Sequence, residues 1–458
     1  MNTPANSSNS AVSHVAASPP AIYAPLRPPG PIDLHLDANE SLNSCIDLQL
    51  LASGKSPQLL TRYPNTSTLE AAIALRLGVP STRVIVTAGG DEAIDRACRA
   101  FLKPGTELIL PVPTFEMIER YARLAQADVV TSPWREGVFP TQAVLKQITT
   151  RTAMISIVSP NNPTGAVAQA QDLATISAAA PHSLLLVDLA YEEFAQDPLT
   201  AAAISLPNAI IIRTFSKAFG LAGMRIGYAI VPESAASAMR ATGSPYSVSS
   251  MSIAAAQQAM ACPASWLSET LSRVRYEREQ LRKLLLELGA TPGESQGNFL
   301  LAEFRDCQWV WRALAGLGIA VRRFSAPNLQ RSLRITCPGQ EIAFTRLIAG
   351  LNAALRPQAL FIAVDSNQDT LHRLSCRIPT AIIPRSANQS AAIQSAVQQL
   401  NASHAWMLCD TPEKIAASRA AGIVPLAIAS NTADKAAFES CGAARVLDTI
   451  AQLEGMLP

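Results

Sequence analysis

The sequence predicts an α/β chain: a mixed, mostly parallel sheet with helices on both faces, a small α/β terminal subdomain, and then a small Rossmann-like α/β domain. Three observations predict it. Short, mostly apolar runs such as 153–158 and 183–187 recur, which is how strands buried on both faces read. Helical repeats separate them, as in 91–101, where Ala93, Ile94, Ala97, Cys98 and Phe101 share one face. Polar residues stand at the ends of the apolar runs, where open α/β sheets keep their ligand chemistry.

At about 150 residues per domain, 458 residues should make two or three domains. The 48% hydrophobic content is ample for large cores. A formal charge of +2, with no basic cluster or basic helix, argues against nucleic acid or an acidic membrane surface as partner. No apolar run approaches the roughly 18 residues of a membrane span. The eight cysteines are scattered singly, with no C-x-x-C spacing and no histidine pair beside them. The expectation is therefore reduced, mostly buried thiols, no bound metal and a cytoplasmic protein.

In chain order, residues 1–30 are rich in Ser, Asn, Ala and Pro, without an acidic residue or a continuous apolar core, and are expected to be a disordered tail. Ile32, Leu34 and Leu36 then alternate with polar residues, giving a short strand that ends at Asp37, Asn39 and Glu40. Residues 83–87 form a strand, 88–90 a tight turn and 91–101 a helix. That strand, Gly89, Gly90 and a helix start at Asp91 bring free backbone N–H groups and the positive end of a helix dipole to one point, which suits a phosphate. Residues 108–115 form a strand and a proline-stiffened turn presenting Phe115. The strand 153–158 runs into Ser159-Pro-Asn-Asn-Pro-Thr-Gly165, a loop dense in turn formers. Prolines on both sides fix Asn162, whose amide can donate to a phenolate oxygen. The strand 183–188 ends at Asp188, which can pair with a protonated pyridine nitrogen, and Tyr191 can hydrogen-bond the neighbouring ring oxygen.

The chain is organised around Arg213-Thr-Phe-Ser-Lys-Ala-Phe-Gly-Leu-Ala-Gly-Met-Arg225-Ile-Gly-Tyr. Two apolar segments flank Lys217, and partial desolvation at strand ends favours a neutral, nucleophilic amine. Ser216 and Arg225 supply a hydroxyl and a cationic fork for a phosphate. An amine that attacks an aldehyde beside a phosphate anchor is what pyridoxal 5′-phosphate requires.

With these residues in the order Gly90-Asp91, Asn162, Asp188, Lys217, Arg225, the chain resembles the fold-type I, class I/II pyridoxal phosphate-dependent aminotransferases. Leu-Asp-Ala-Asn-Glu40 followed by Arg62-Tyr-Pro64 is similar to the opening of their histidinol-phosphate branch. The resemblance implies that Lys217 bonds the cofactor aldehyde and moves the substrate α-proton, and that Asp188 and Tyr191 assist. It implies that Gly90, Asp91, Ser216 and Arg225 hold the cofactor phosphate, that Phe115 stacks on the ring, and that Asn162 binds its phenolic oxygen. It further implies a homodimer in which Tyr63 reaches the cofactor phosphate of the other subunit. Substrate would be met by Asn39, Arg322 and Arg334, the last as an anion clamp in Ser332-Leu-Arg-Ile-Thr336. A loop at 244–250, a long amphipathic helix at 264–288 and strands near 296–301, 318–322 and 332–336 complete the pattern. The implied boundaries are 31–356 for the aminotransferase, with a large domain at about 65–240 and a small subdomain from 31–64 and 241–356.

The reaction expected is amino-group exchange between an amino acid or a histidinol-phosphate-like amino alcohol and a 2-oxo acid such as 2-oxoglutarate. Two alternatives stand beside it: a decarboxylase of a phosphorylated amino acid, and a noncatalytic cofactor- or amino-acid-binding regulator. The resemblance ends near residue 355. Residues 357–458 read as short buried strands with helices between them, and 409–428 with 442–448 resemble the last third of haloacid-dehalogenase-type phosphatases. Such phosphatases need Asp-x-Asp, but Asp365 is followed by Ser366 and Asn367, and Pro384 stands where a Ser or Thr belongs. Asp410 alone could ligate Mg²⁺, so a truncated, noncatalytic module is expected.

Overall fold

The structure, a computed structural model, describes residues 24–46, 58–366, 368–384, 389–429 and 431–457. The first 23 residues of the expected tail, and Asn367, lie outside the described residues, whereas 24–30 are placed.

Strand β1 (Leu34–Leu36) comes first, followed by the strands of a seven-stranded sheet. These are β2 (Val84–Thr87), β3 (Glu107–Val112), β4 (Asp128–Pro133), β5 (Thr152–Val158), β6 (Leu184–Asp188), β7 (Ala209–Thr214) and β8 (Gly227–Ile230). Their order is β2-β8-β7-β6-β5-β3-β4, parallel except where β8 meets β2 and β7. Successive side chains of a strand face opposite sides, and the central strands use both. Leu186, Ile210 and Ile212 enter one core with helices α1 (Gly89–Phe101) and α2 (Glu116–Leu124), while Leu185, Val187 and Ile211 enter another. Strand β4 escaped the sequence reading because it is a sheet edge with an interrupted burial pattern.

After the long helix α3 (Ala264–Glu287) come β9 (Thr291–Pro292), β10 (Phe299–Glu303), helix α4 (Cys307–Gly316), β11 (Ile319–Arg323), β12 (Ser332–Thr336) and helix α5 (Glu341–Leu355). The second sheet, β1-β11-β12-β10-β9, takes its first strand from the start of the chain, with Leu34 beside Ile319. A third sheet holds β13 (Ala359–Ile362), β14 (Thr380–Ile382), β15 (Ala405–Cys409), β16 (Val424–Ile428) and β17 (Arg445–Leu447), with helix α6 (Pro412–Ala420) after β15. Its order is β14-β13-β15-β16-β17 and it is wholly parallel, the doubly wound topology the sequence predicts. Leu360, Trp406 and Leu426 share one apolar core with Val310, Leu314 and Leu351 of α4 and α5. No helix among the described residues is long and apolar enough to cross a membrane.

The cysteine expectation needs correction. Cys45 and Cys262, 217 residues apart, form a disulfide, with Cα atoms 6.4 Å apart. Sequence spacing is silent about such a pair, because only the packing of the 41–46 loop near the start of α3 brings the two together. Cys98, Cys307, Cys337 and Cys409 are buried thiols as expected, and burial pushes Cys98 up to about 12.

Candidate active site

The carboxyl ends of β5, β6 and β7, the start of α1 and the edge of the second sheet enclose a cleft of about 840 Å³. Its walls include Gly90, Asp91, Phe115, Asn162, Asp188, Tyr191, Ser216, Lys217, Arg225, Arg322 and Arg334, residues spread over some 245 positions of sequence. Asp188 ends β6, Gly90 and Asp91 open α1, and Arg322 and Arg334 stand within β11 and β12, so backbone geometry positions them.

At the start of α1, Gly89 has φ +80, and a Cβ there would lie 2.7 Å from Nη2 of Arg225. Only glycine allows both the left-handed backbone and the close approach. Arg225, itself at φ 48, donates from Nη2 to Oδ2 of Asp91 at 2.9 Å. Thr214 Oγ1 donates to Ser216 Oγ at 2.9 Å, fixing the hydroxyl beside them. Helix α1 directs the N–H groups of its first turn at the same point.

Across the cleft, Asp188 closes β6 and is buried, its Oδ1 accepting the Ala190 N–H at 3.0 Å. Burial raises its carboxyl to about 6, against the Ala190 hydrogen bond, with the nearby Asp91 charge adding to the rise. Such a carboxylate is relieved by a cationic partner. Lys217 Nζ donates to the Ala38 carbonyl at 3.0 Å and lies 5.5 Å from the centre of the Tyr191 ring. Tyr191 is buried against Phe299, and its hydroxyl accepts from Asn39 Nδ2 at 2.9 Å. Phe115 stands at the start of α2, on the cleft wall.

In the second sheet, Arg322 and Arg334 are register partners on the antiparallel strands β11 and β12. Arg334 is buried, donates to Asn162 Oδ1, and donates from Nη2 to the Asp37 carbonyl at 2.6 Å. Arg322 donates to Glu116 Oε1 at 2.9 Å.

Two expected residues stand apart from the cleft. Asn39 is fully buried behind it, with φ 55, its N–H donating to Thr336 Oγ1 at 3.2 Å while Asp37, Ala38 and Glu40 line the wall. Tyr63 is 79% exposed and stacks on Tyr246 with ring centres 4.3 Å apart. The sequence reading missed Glu116 and Asn161. Asn161 is fully buried and accepts from Thr114 Oγ1 at 2.7 Å while donating to the Pro113 carbonyl at 2.8 Å, locking the Phe115 loop to the Asn162 loop. Two adjacent asparagines between prolines were the available signal, but sequence alone does not say which one faces inward.

These residues fit pyridoxal 5′-phosphate. Asp188 is a buried acid that a protonated ring nitrogen would relieve, Gly89, Ser216 and Arg225 with the α1 turn form an anion cradle, and Lys217 is the amine between them.

Comparison with known proteins agrees. Residues 33–349 match the family "Aminotransferase class I and II". A histidinol-phosphate aminotransferase of Thermoanaerobacter sp. (strain X514) is 33% identical over 299 residues, covering 64% of this chain and 83% of that protein. An aromatic amino acid aminotransferase of Thermobifida fusca (strain YX) is 34% identical over 282 residues, covering 60% of this chain and 78% of that protein. Among solved structures, histidinol-phosphate aminotransferase from Sinorhizobium meliloti in complex with pyridoxal-5′-phosphate gives a TM-score of 0.65 at 25% identity, covering 71% of this chain and 92% of that one.

Proposed function

The chain belongs to the class I and II aminotransferases, pyridoxal phosphate-dependent enzymes, and on that premise we propose that it transfers the amino group of a phosphorylated amino alcohol such as L-histidinol phosphate to a 2-oxo acid such as 2-oxoglutarate. One observation carries the choice of substrate. Arg322 and Arg334 lie directly opposite each other across β11 and β12, a placement that destabilises a sheet unless anions neutralise it. Arg322 is paired with Glu116 and Arg334 donates to Asn162 and the Asp37 carbonyl, and a substrate phosphate would add two negative charges beside them.

When bound, the cofactor supplies an electron-accepting ring that makes the substrate α-proton removable. The chain supplies the rest. Asp188 would pair with a protonated ring nitrogen, Asn162 and Tyr191 would donate toward the phenolic oxygen, and Ser216, Arg225 and the α1 N–H groups would take the phosphate. Lys217 Nζ would hold the cofactor aldehyde and, once free, would take the proton from the substrate α-carbon. Arg334 and Arg322 orient the distal anion. Tyr63 and Tyr246, exposed side by side, suit a homodimer in which a partner covers them.

The terminal unit, 357–458, is assigned a noncatalytic role and a haloacid-dehalogenase-like origin. Asp410 Oδ1 lies 2.5 Å from Lys414 Nζ, which also donates to the Ala363 carbonyl, so the acid at the carboxyl end of β15 is engaged internally.

A donor panel tests the reaction. With 2-oxoglutarate, L-histidinol phosphate should exceed histidinol in kcat/KM by about tenfold or more, as expected for charge-assisted contacts to a phosphate. Preference for histidinol or phenylalanine would reject the phosphate reading, and release of CO₂ from O-phosphothreonine would favour the decarboxylase.

A further inference from the structure

We propose that Arg419, in the terminal domain, is a positioning residue for the cleft and acts through the proline-rich strap formed by residues 25–31. The proposal rests on reading the cleft as the aminotransferase site, and it gives the terminal domain a part in that site without reaching it.

The strap is Pro25-Leu-Arg-Pro-Pro-Gly-Pro31. Four prolines in seven residues fix φ at most positions, so the segment is a semi-rigid spacer. The chain bends at Pro29 and Gly30, and six residue steps reach at most about 22 Å even fully extended, short enough for one end to set the other. Pro25 lines the cleft. At the other end Arg419 Nη2 donates to the Pro31 carbonyl at 2.6 Å. The same guanidinium donates from Nη1 to the carbonyls of Gly316 at 2.8 Å and Ala315 at 3.1 Å, the last residues of α4. A cation at a helix carboxyl end is favourable, so Arg419 has a stable seat from which to hold the strap.

The contact is built for close approach. Gly30 has φ +83, and a Cβ on it would lie 2.6 Å from the Cα of Gly442. Gly442, at φ +98, likewise leaves no room for a side chain beside Arg419. Terminal domain, α4 and strap therefore meet at one node. Beyond the node the chain continues through Asp33, which takes Arg346 at 2.6 and 2.8 Å, to Asp37 and Ala38, the acceptors for Arg334 and Lys217. The node thus fixes the start of a segment that touches the cleft on both sides of β1.

Three variants of the full-length, cofactor-loaded protein test this: Arg419→Ala, Arg419→Lys and Gly30→Ala, the last acting on the strap while leaving Arg419 in place. Two readouts are needed, amide hydrogen exchange of the 24–34 peptide, and KM and kcat with L-histidinol phosphate and 2-oxoglutarate. Arg419→Ala should speed strap exchange and raise the donor KM by about five- to tenfold, with kcat within about twofold. Arg419→Lys should recover most of the loss. Gly30→Ala should reproduce it, and the double variant with Arg419→Ala should be no worse than either single, because both act through one element. Unchanged strap exchange in Arg419→Ala and Gly30→Ala, faster exchange with an unaltered KM, or losses that multiply in the double variant would each overturn the proposal. Wild-type inactivity toward L-histidinol phosphate would reject the donor assignment instead, and strap exchange would then decide whether Arg419 positions the strap.

Discussion

Asp188 is a carboxyl group closing a strand of otherwise apolar residues, and its burial has a consequence for stability. In the folded, cofactor-free protein it titrates at about 6, above its ordinary value of 3.8. An acid with a raised pKa binds a proton more tightly folded than unfolded, so it favours folding at low pH and loses that contribution as pH rises from about 4 to about 6. A shift of about 2 units corresponds to about 3 kcal/mol. Asp188→Asn should therefore stabilise the cofactor-free protein relative to wild type at pH 7 and much less at pH 4, measured by urea unfolding of both. An equal difference at the two pH values would contradict the burial argument. The same variant should weaken cofactor retention and turnover by about 10²-fold or more, since it removes one member of a buried charge pair. Asp188, Lys217 and Asn162 were legible in the sequence because each follows an apolar run or a run of turn formers whose chemistry is local. Glu116 and Asn161 were not, since their partners, Arg322 and Thr114, are distant in the chain or carry no motif.

At the scale of elements, the junction of β2 and α1 shows how backbone and ligand chemistry depend on one another. Gly89 meets Arg225 where a side chain would stand, and its positive φ penalises any other residue. Gly89→Ala should cost at least about 1 kcal/mol and displace Arg225, lowering pyridoxal phosphate affinity about tenfold or more in a fluorescence titration. Unchanged affinity would mean that the turn does not set the cradle. The Gly-Gly-Asp turn could be read as a phosphate site because a strand, two glycines and a helix start are contiguous. The seating of Asn39 behind Tyr191 could not, because Thr336, which accepts its N–H, lies 297 residues away. The Cys45–Cys262 disulfide escaped for the same reason.

Across the whole molecule, the second and third sheets share helices α4 and α5, and the third was legible as a small Rossmann-like unit without revealing where it docks. Its apolar strands look like any buried strand in sequence. The structure places Trp406 against Trp309 with ring centres 4.9 Å apart, and its Nε1 donates to the Ala353 carbonyl at 2.7 Å. A shared core of this kind couples the terminal domain to α4 and α5. Trp406→Ala should cost about 3–5 kcal/mol and separate the unfolding of the terminal domain from that of the rest in denaturant. A single unshifted transition would show that the docking is superficial. The central claim concerns the cofactor bond that the cleft is arranged to make. Borohydride reduction of the pyridoxal phosphate-loaded protein, followed by peptide mass analysis, tests it most directly. The account predicts one phosphopyridoxyl group, on the peptide containing Lys217; a cofactor-loaded protein whose Lys217 peptide stays unlabelled would contradict it.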